Sequence, residues 1–306
     1  MKFDPKPIIS ANDSLMGKLS TVSGWRLGRK LHEGRWLNQF EAATIATENS
    51  SFDYVFKTIK PGLSKEMLEQ AISRLTSEAM VTEQVQQRNV IPLLDSELDS
   101  APFFLVQPLV SGASLTQLIA AHQSIPMSRM FWLFRQTAEA ISAVHDHHRI
   151  YGGVHPSHVL ISQVGDVSLI GWGNSVPIGE SLSAPLGQNA TDPFWLAHFA
   201  APEMFDDSYR ATEASDVYSI GAMIYSLFAG QPPFEVPNMP LLEKYAKTCL
   251  HEDLQVLQPS CPGALNQLVN QMLTKNPQRR PHLKVIIDQL ISLEIEHFQN
   301  GTLIDL

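Results

Sequence analysis

SDVYSIGAMIYSLFAG, residues 215–230, is apolar on nearly every side and carries one charge, Asp216. A helix with no polar face has no side to turn to water, so this stretch reads as a core helix around which other elements pack, with Gly230 closing it. On its carboxyl side, residues 240–249, 263–275 and 283–296 repeat apolar positions at helical spacing, and Pro281 sets off the last of them. On its amino side, Phe134, Ala138, Ile141 and His145 mark a long helix over 127–148. This half of the chain is therefore expected to be mostly helical.

Further toward the amino terminus the period changes. From Trp25 to Lys60 the runs WRLGRKL, FEAATIA and DYVFKTIK alternate with turn-rich stretches, which predicts an antiparallel meander ended by Pro61 and Gly62. Residues 64–87 then place Leu68, Ile72, Leu75 and Ala79 on one helical face, and Ser64 is suited to cap the start. VIPLLD at 90–95 and PFFLVQPLV at 102–110 predict two more strands, the second broken by Ser111 and Gly112. The expectation is an α+β fold of two lobes. A small antiparallel lobe of five strands and one helix covers 25–109, a larger mostly helical lobe covers 110–298, and a cleft lies between them. Residues 1–24 read as a polar tail and 299–306 as a short carboxyl-terminal one.

Bulk properties narrow the function. A net charge of −9 lacks the basic excess that a phosphate backbone attracts, which argues against nucleic acid as a partner. Cys249 and Cys261 are too few for a disulfide framework and are not at zinc-ligand spacing, so they read as packing residues in a reducing compartment. No apolar run reaches the length of a membrane span, and the opening MKFDPKP has no signal-peptide core. These features predict a cytoplasmic protein without membrane contact.

From about Trp25 to Phe298 the chain resembles the protein kinase family, with motifs in family order. Val55, Phe56 and Lys57 match the strand whose lysine grips nucleotide phosphates, and Glu78 in SEAMVTEQV matches the helix glutamate that pairs with it. AAPE at 200–203, SDVYSIG at 215–221 and NPQRRP at 276–281 match the framework of the helical lobe. The resemblance implies an ion pair between Glu203 and Arg280, and an Asp216 that holds the backbone of the catalytic loop. Taken without the other motifs, Lys57 and Glu78 would read as a surface lysine and a solvated glutamate.

The same resemblance exposes departures. Where the family reads HRDLKPEN, residues 151–158 read YGGVHPSH, so Gly153, His155 and His158 are degenerate positions. Gly153 stands in the place of the catalytic base and has no group to deprotonate a hydroxyl. His158 stands in the place of the asparagine that holds a magnesium, and Gly171 of GWG replaces the aspartate that holds the principal one. His32, Gly34 and Leu37 occupy the three glycine places of the phosphate loop, and Gln39 replaces the apolar roof of the adenine slot. Val55, where the family prefers alanine, narrows that slot.

Charge points the same way without an alignment. No lysine or arginine occurs between Arg149 and Arg210, the span that holds the catalytic loop, the metal motif and the activation segment. Phosphoryl groups need cations or backbone nests, so switching through Ser181, Ser183 or Thr191 is not expected, and Gly152 replaces the usual receiving arginine. Leu196 likewise replaces a threonine whose bonding partners are absent.

The resemblance thus implies a pseudokinase: no enzyme activity, no magnesium, ATP binding weak or absent, and a protein partner such as an active kinase or another signalling protein. A metal-independent nucleotide site using Lys57, Glu78, Gly34 and Val55 is the first alternative. A rewired phosphotransferase using Asp146, Asp166 or Asp192 is the second. Clustered histidines (His145, His147, His148, His155, His158) invite a metal reading, set against histidines that are satisfied or facing water because 155 and 158 flank a proline in a loop. Thr82 and Trp172, at places of an apolar stack that the family uses in switching, read as a loosened or reshaped stack or as local repacking. WLAHFA at 195–200 reads as a docking patch or as core.

Overall fold

A computed structural model of the chain describes residues 20–45, 51–121, 125–180, 194–206 and 210–300. Six antiparallel strands form the amino-terminal sheet: β1 (Ser20–Val22), β2 (Trp25–Glu33), β3 (Leu37–Thr44), β4 (Tyr54–Ile59), β5 (Asp95–Glu97) and β6 (Phe104–Pro108), in the order β1-β2-β3-β4-β6-β5. α1 (Lys65–Gln84) packs on the sheet. The Ser64 side chain accepts a bond from Met67 N and so satisfies one of the free amides at the helix start. Leu27, Phe40, Ala42, Phe56, Phe104 and Val106 form the core of this lobe. The Phe56 and Phe104 rings stack at 4.7 Å, which is possible because alternate residues of neighbouring strands meet on one face.

Two expectations about this lobe need correction. β1 lies inside the stretch read as a tail, where it pairs Val22 with Trp25 across a tight turn; three residues are too few to show a period. VIPLLD is not a strand. Val90 makes one parallel bridge to Leu169, Ile91 is buried, and pairing with β6 begins only at Asp95. Only Val90 and Ile91 of the run are buried, in a loop, while Pro92 and Leu94 are exposed.

The carboxyl-terminal lobe holds β7 (Gly112–Ser114), α2 (Leu115–Ala120), α3 (Met127–Asp146), β8 (Arg149–Ile150), β9 (Val159–Ser162), β10 (Val167–Leu169) and β11 (Val176–Pro177). It continues with α4 (Phe194–Ala197), α5 (Glu213–Ala229), α6 (Met239–Thr248), α7 (Leu254–Leu257), α8 (Gly263–Met272) and α9 (Leu283–Asn300). α5 is the central helix its sequence predicts: every residue from Ser215 to Ser226 is buried. Gly230, with φ +73°, ends it in the left-handed conformation that glycine adopts at least cost.

Val81 of α1, its C-cap Val85 and Val90 after it belong to the large core rather than the small one, so the end of α1 is built into the helical lobe. Asn89 reinforces the join, its amide donating to Gln136 Oε1 at 2.9 Å and Val167 O at 2.6 Å. Ala197 and Ala200 are buried, and Phe194 and Phe199 pack against the same core, so the described part of the WLAHFA stretch faces inward.

Candidate functional site

The cleft is assembled from elements distant in sequence. The antiparallel register sets Lys57 on β4 between Gln39 on β3 and Leu105 on β6. From there its Nζ reaches Glu78 Oε1 at 2.5 Å, with the two side chains only 6% and 5% exposed. Val55 lies two residues earlier on the same face, across from Gln107. Gly34 sits in the β2–β3 turn, where its amide donates to Leu37 O at 2.9 Å, and His32 precedes it on β2.

Below the sheet, the loop 151–158 hangs on Asp216. This carboxylate, 1% exposed, accepts the amides of Tyr151 at 2.7 Å and Gly152 at 2.9 Å, and its Oδ2 lies 2.9 Å from His145 Nε2. Gly152 takes φ +69°, a bend that an L side chain would resist. Gly153 follows, and a Cβ there would stand 3.0 Å from Asn174 Nδ2. In the same lobe, Arg280 donates to Glu203 at 2.6 and 2.8 Å and to the carbonyls of Ala214, Thr274 and Lys275.

The structure gathers two histidines that a proline separates in the chain. Pro156–His158 form a single 3-10 turn, which brings the rings of His155 and His158 to 3.7 Å between centroids. Both are held neutral. Burial pushes His155 down to about 2, with His158 adding to the effect, and burial pushes His158 down to about 4 against the Gly153 carbonyl, with Lys57 and His32 nearby. His145 stays apart on Asp216. Among the described residues, no group of three or more histidine, cysteine or acidic side chains is placed to hold a metal ion.

His158 also meets Gly171. Gly171 has φ +82°, and a Cβ added there would lie 2.5–2.7 Å from three atoms of the imidazole. The space in which a residue at 171 would carry a ligand is therefore occupied by a neutral ring, and magnesium prefers oxygen donors in an octahedral shell. The residues present do not fit that ion.

The two described carboxylates of the rewired-enzyme alternative, Asp146 and Asp166, are not gathered here. Asp146 is exposed at the end of α3. Asp166 is exposed in the β9–β10 turn, at the opposite end of that hairpin from the Val159–Leu169 pair that leads to His158 and Gly171. Asp192, Ser181, Ser183 and Thr191 lie outside the described residues.

Four contributors were not foreseen: Tyr151, Arg74, Asn174 and Trp36. Trp36, 9% exposed, lies beneath Arg35 at 4.1 Å and near Arg74 at 5.6 Å, while Arg74 bonds Asn174 just after the GWG turn. Trp36 left a trace in the sequence as a large apolar residue in a turn, and Tyr151 opens the YGGVHPSH stretch. The Thr82 hydroxyl is satisfied within its own helix, donating to Glu78 O at 2.9 Å and Ala79 O at 3.2 Å.

Compared with known families, the chain aligns with the protein kinase domain over residues 40–291. It belongs to that family. The kinase domain is 25% identical to the probable serine/threonine-protein kinase PknB of Lactococcus lactis over 69% of this chain and 33% of the relative. It is 28% identical to the serine/threonine-protein kinase PknL of Mycobacterium tuberculosis over 54% and 40%, and 23% identical to Aurora kinase C of Mus musculus over 87% and 91%. The chain thus spans well under half the length of the two bacterial relatives and most of the mouse one. No described helix of the kinase domain is long and apolar enough to cross a membrane.

Proposed function

We propose that this kinase domain is a pseudokinase: a protein-binding or scaffolding module of signalling that does not transfer phosphate. One observation carries the reading. At the position where the family coordinates its principal magnesium, Gly171 offers no ligand and the His158 imidazole fills the place where a Cβ would stand. With Gly153 at the base position, a substrate hydroxyl would find neither a proton acceptor nor a metal to offset charge on the transferred group. The framework pairs Glu203–Arg280 and Asp216 with the 151–152 backbone serve the fold and need no catalysis. The partner is a protein, an active kinase or another signalling component, in the cytoplasm. A net charge of −9 weighs against nucleic acid.

Lys57 favours a second reading, in which nucleotide binds weakly and without metal, because its pair with Glu78 has the geometry that orients a phosphate-binding lysine. Thermal unfolding with ATP separates the readings. The pseudokinase reading expects no rise in Tm with ATP and magnesium. The second expects a rise that survives a chelator and is lost in Lys57→Met. A magnesium-dependent rise together with autophosphorylation would sink both.

A further inference from the structure

We infer that Tyr151, His158 and Trp172 form a clamp that holds the 170–174 turn and α1 in one arrangement without nucleotide or metal. The inference goes beyond the binding reading, since a domain can lack chemistry and still move. Hydrogen bonding sets the clamp's centre. The Tyr151 hydroxyl has one proton and donates it to Ile170 O at 2.6 Å. Its lone pair then accepts from His158 Nδ1 at 2.5 Å, and the same Nδ1 lies 3.2 Å from Gly153 O, which can only accept. These partners require the proton on Nδ1, so one imidazole ties the 151–153 backbone to the strand end at 170. The main chain repeats the link, Ile170 N donating to His158 O at 3.1 Å.

Packing closes the clamp on three sides. The Trp172 indole, fully buried, meets Tyr151 edge to face at 4.6 Å and donates Nε1–H to Leu169 O at 3.2 Å. The His158 ring fills the space beside Gly171. From above, Arg74 bonds Asn174, and Gly173 lies so near that a Cβ would stand 3.2 Å from Arg74 O. Swinging the turn outward would expose the indole, leave the Ile170 carbonyl unpaired and pull α1 with it. The module therefore presents α1 to a partner in one position, whatever the nucleotide supply.

Hydrogen exchange on the nucleotide-free full chain tests this. The amides of Ile170 and Ser175, bonded to His158 O and Trp172 O, should exchange slowly. In Tyr151→Phe, which keeps the ring packing and removes the hydroxyl, they should exchange about tenfold faster while α5 is unchanged. A second measurement uses Gly171→Ala and His158→Ala. The ring that meets the new Cβ is absent from the double variant, so its fall in Tm should be clearly smaller than the sum of the two single falls. Rates at 170 and 175 like those of open loops in the native chain, or unchanged rates in Tyr151→Phe, would overturn the clamp, as would additive falls. That result would leave the binding reading standing. Magnesium-dependent ATP binding with slow exchange intact would do the opposite, removing the binding reading and keeping the clamp.

Discussion

Replacing Glu78 by leucine leaves the Lys57 ammonium, whose side chain is 6% exposed, without the carboxylate at 2.5 Å. Breaking a buried pair from one side costs about 3–5 kcal/mol, because the remaining charge stays desolvated. At about 2 °C per kcal/mol for a domain of this size, Tm should fall by about 6–10 °C. Lys57→Met should cost a similar amount for the mirror reason. The double variant Lys57→Met, Glu78→Leu removes both charges and fills the volume with apolar atoms, so it should lie within about 2 °C of the native protein. Urea unfolding of all four proteins at neutral pH measures the coupling directly. If each single variant lost less than about 1 kcal/mol, or the double lost the sum of the two, the pair would not be a buried, mutually dependent unit. In that case its geometry would have to be explained by a bound ligand.

Two further outcomes follow from the same physics. Glu203→Gln should destabilise by about 3 kcal/mol, the low end for a buried pair, since Glu203 is 18% exposed and three carbonyls still hold Arg280; urea titration reads it, and a loss near zero would refute it. Stability should also fall on acidification from pH 6.5 toward 5. The folded state keeps His155 and His158 neutral, down to about 2 and about 4, while the unfolded chain binds protons below about 6.5, so the unfolded state gains. Each histidine contributes a slope of up to about 1.4 kcal/mol per pH unit, and His158→Asn should remove its share; an unchanged slope in that variant would contradict the assignment.

Much of the fold is legible in sequence because its signals are local. The unbroken apolar character of 215–230 forces burial of α5, and the change from period 3.6 to period 2 marks the two lobes. The errors fell where local pattern and three-dimensional role part company. Ser20–Val22 is too short to carry a period, and the apolar run at 90–94 is a loop next to Asn89 that buries only Val90 and Ile91.

The amino-acid identities alone determine which chemical groups exist. A glycine at 153 or 171 has no carboxylate in any fold, and no arrangement adds a cation between Arg149 and Arg210. They cannot determine what occupies the space around those glycines. That His158 turns onto Gly171, that Tyr151 and Trp172 close around it, and that Arg74 reaches Asn174 across 100 residues were decided by tertiary packing. Which side chain fills a given volume depends on backbone positions set by the whole core, and no local window of sequence contains them.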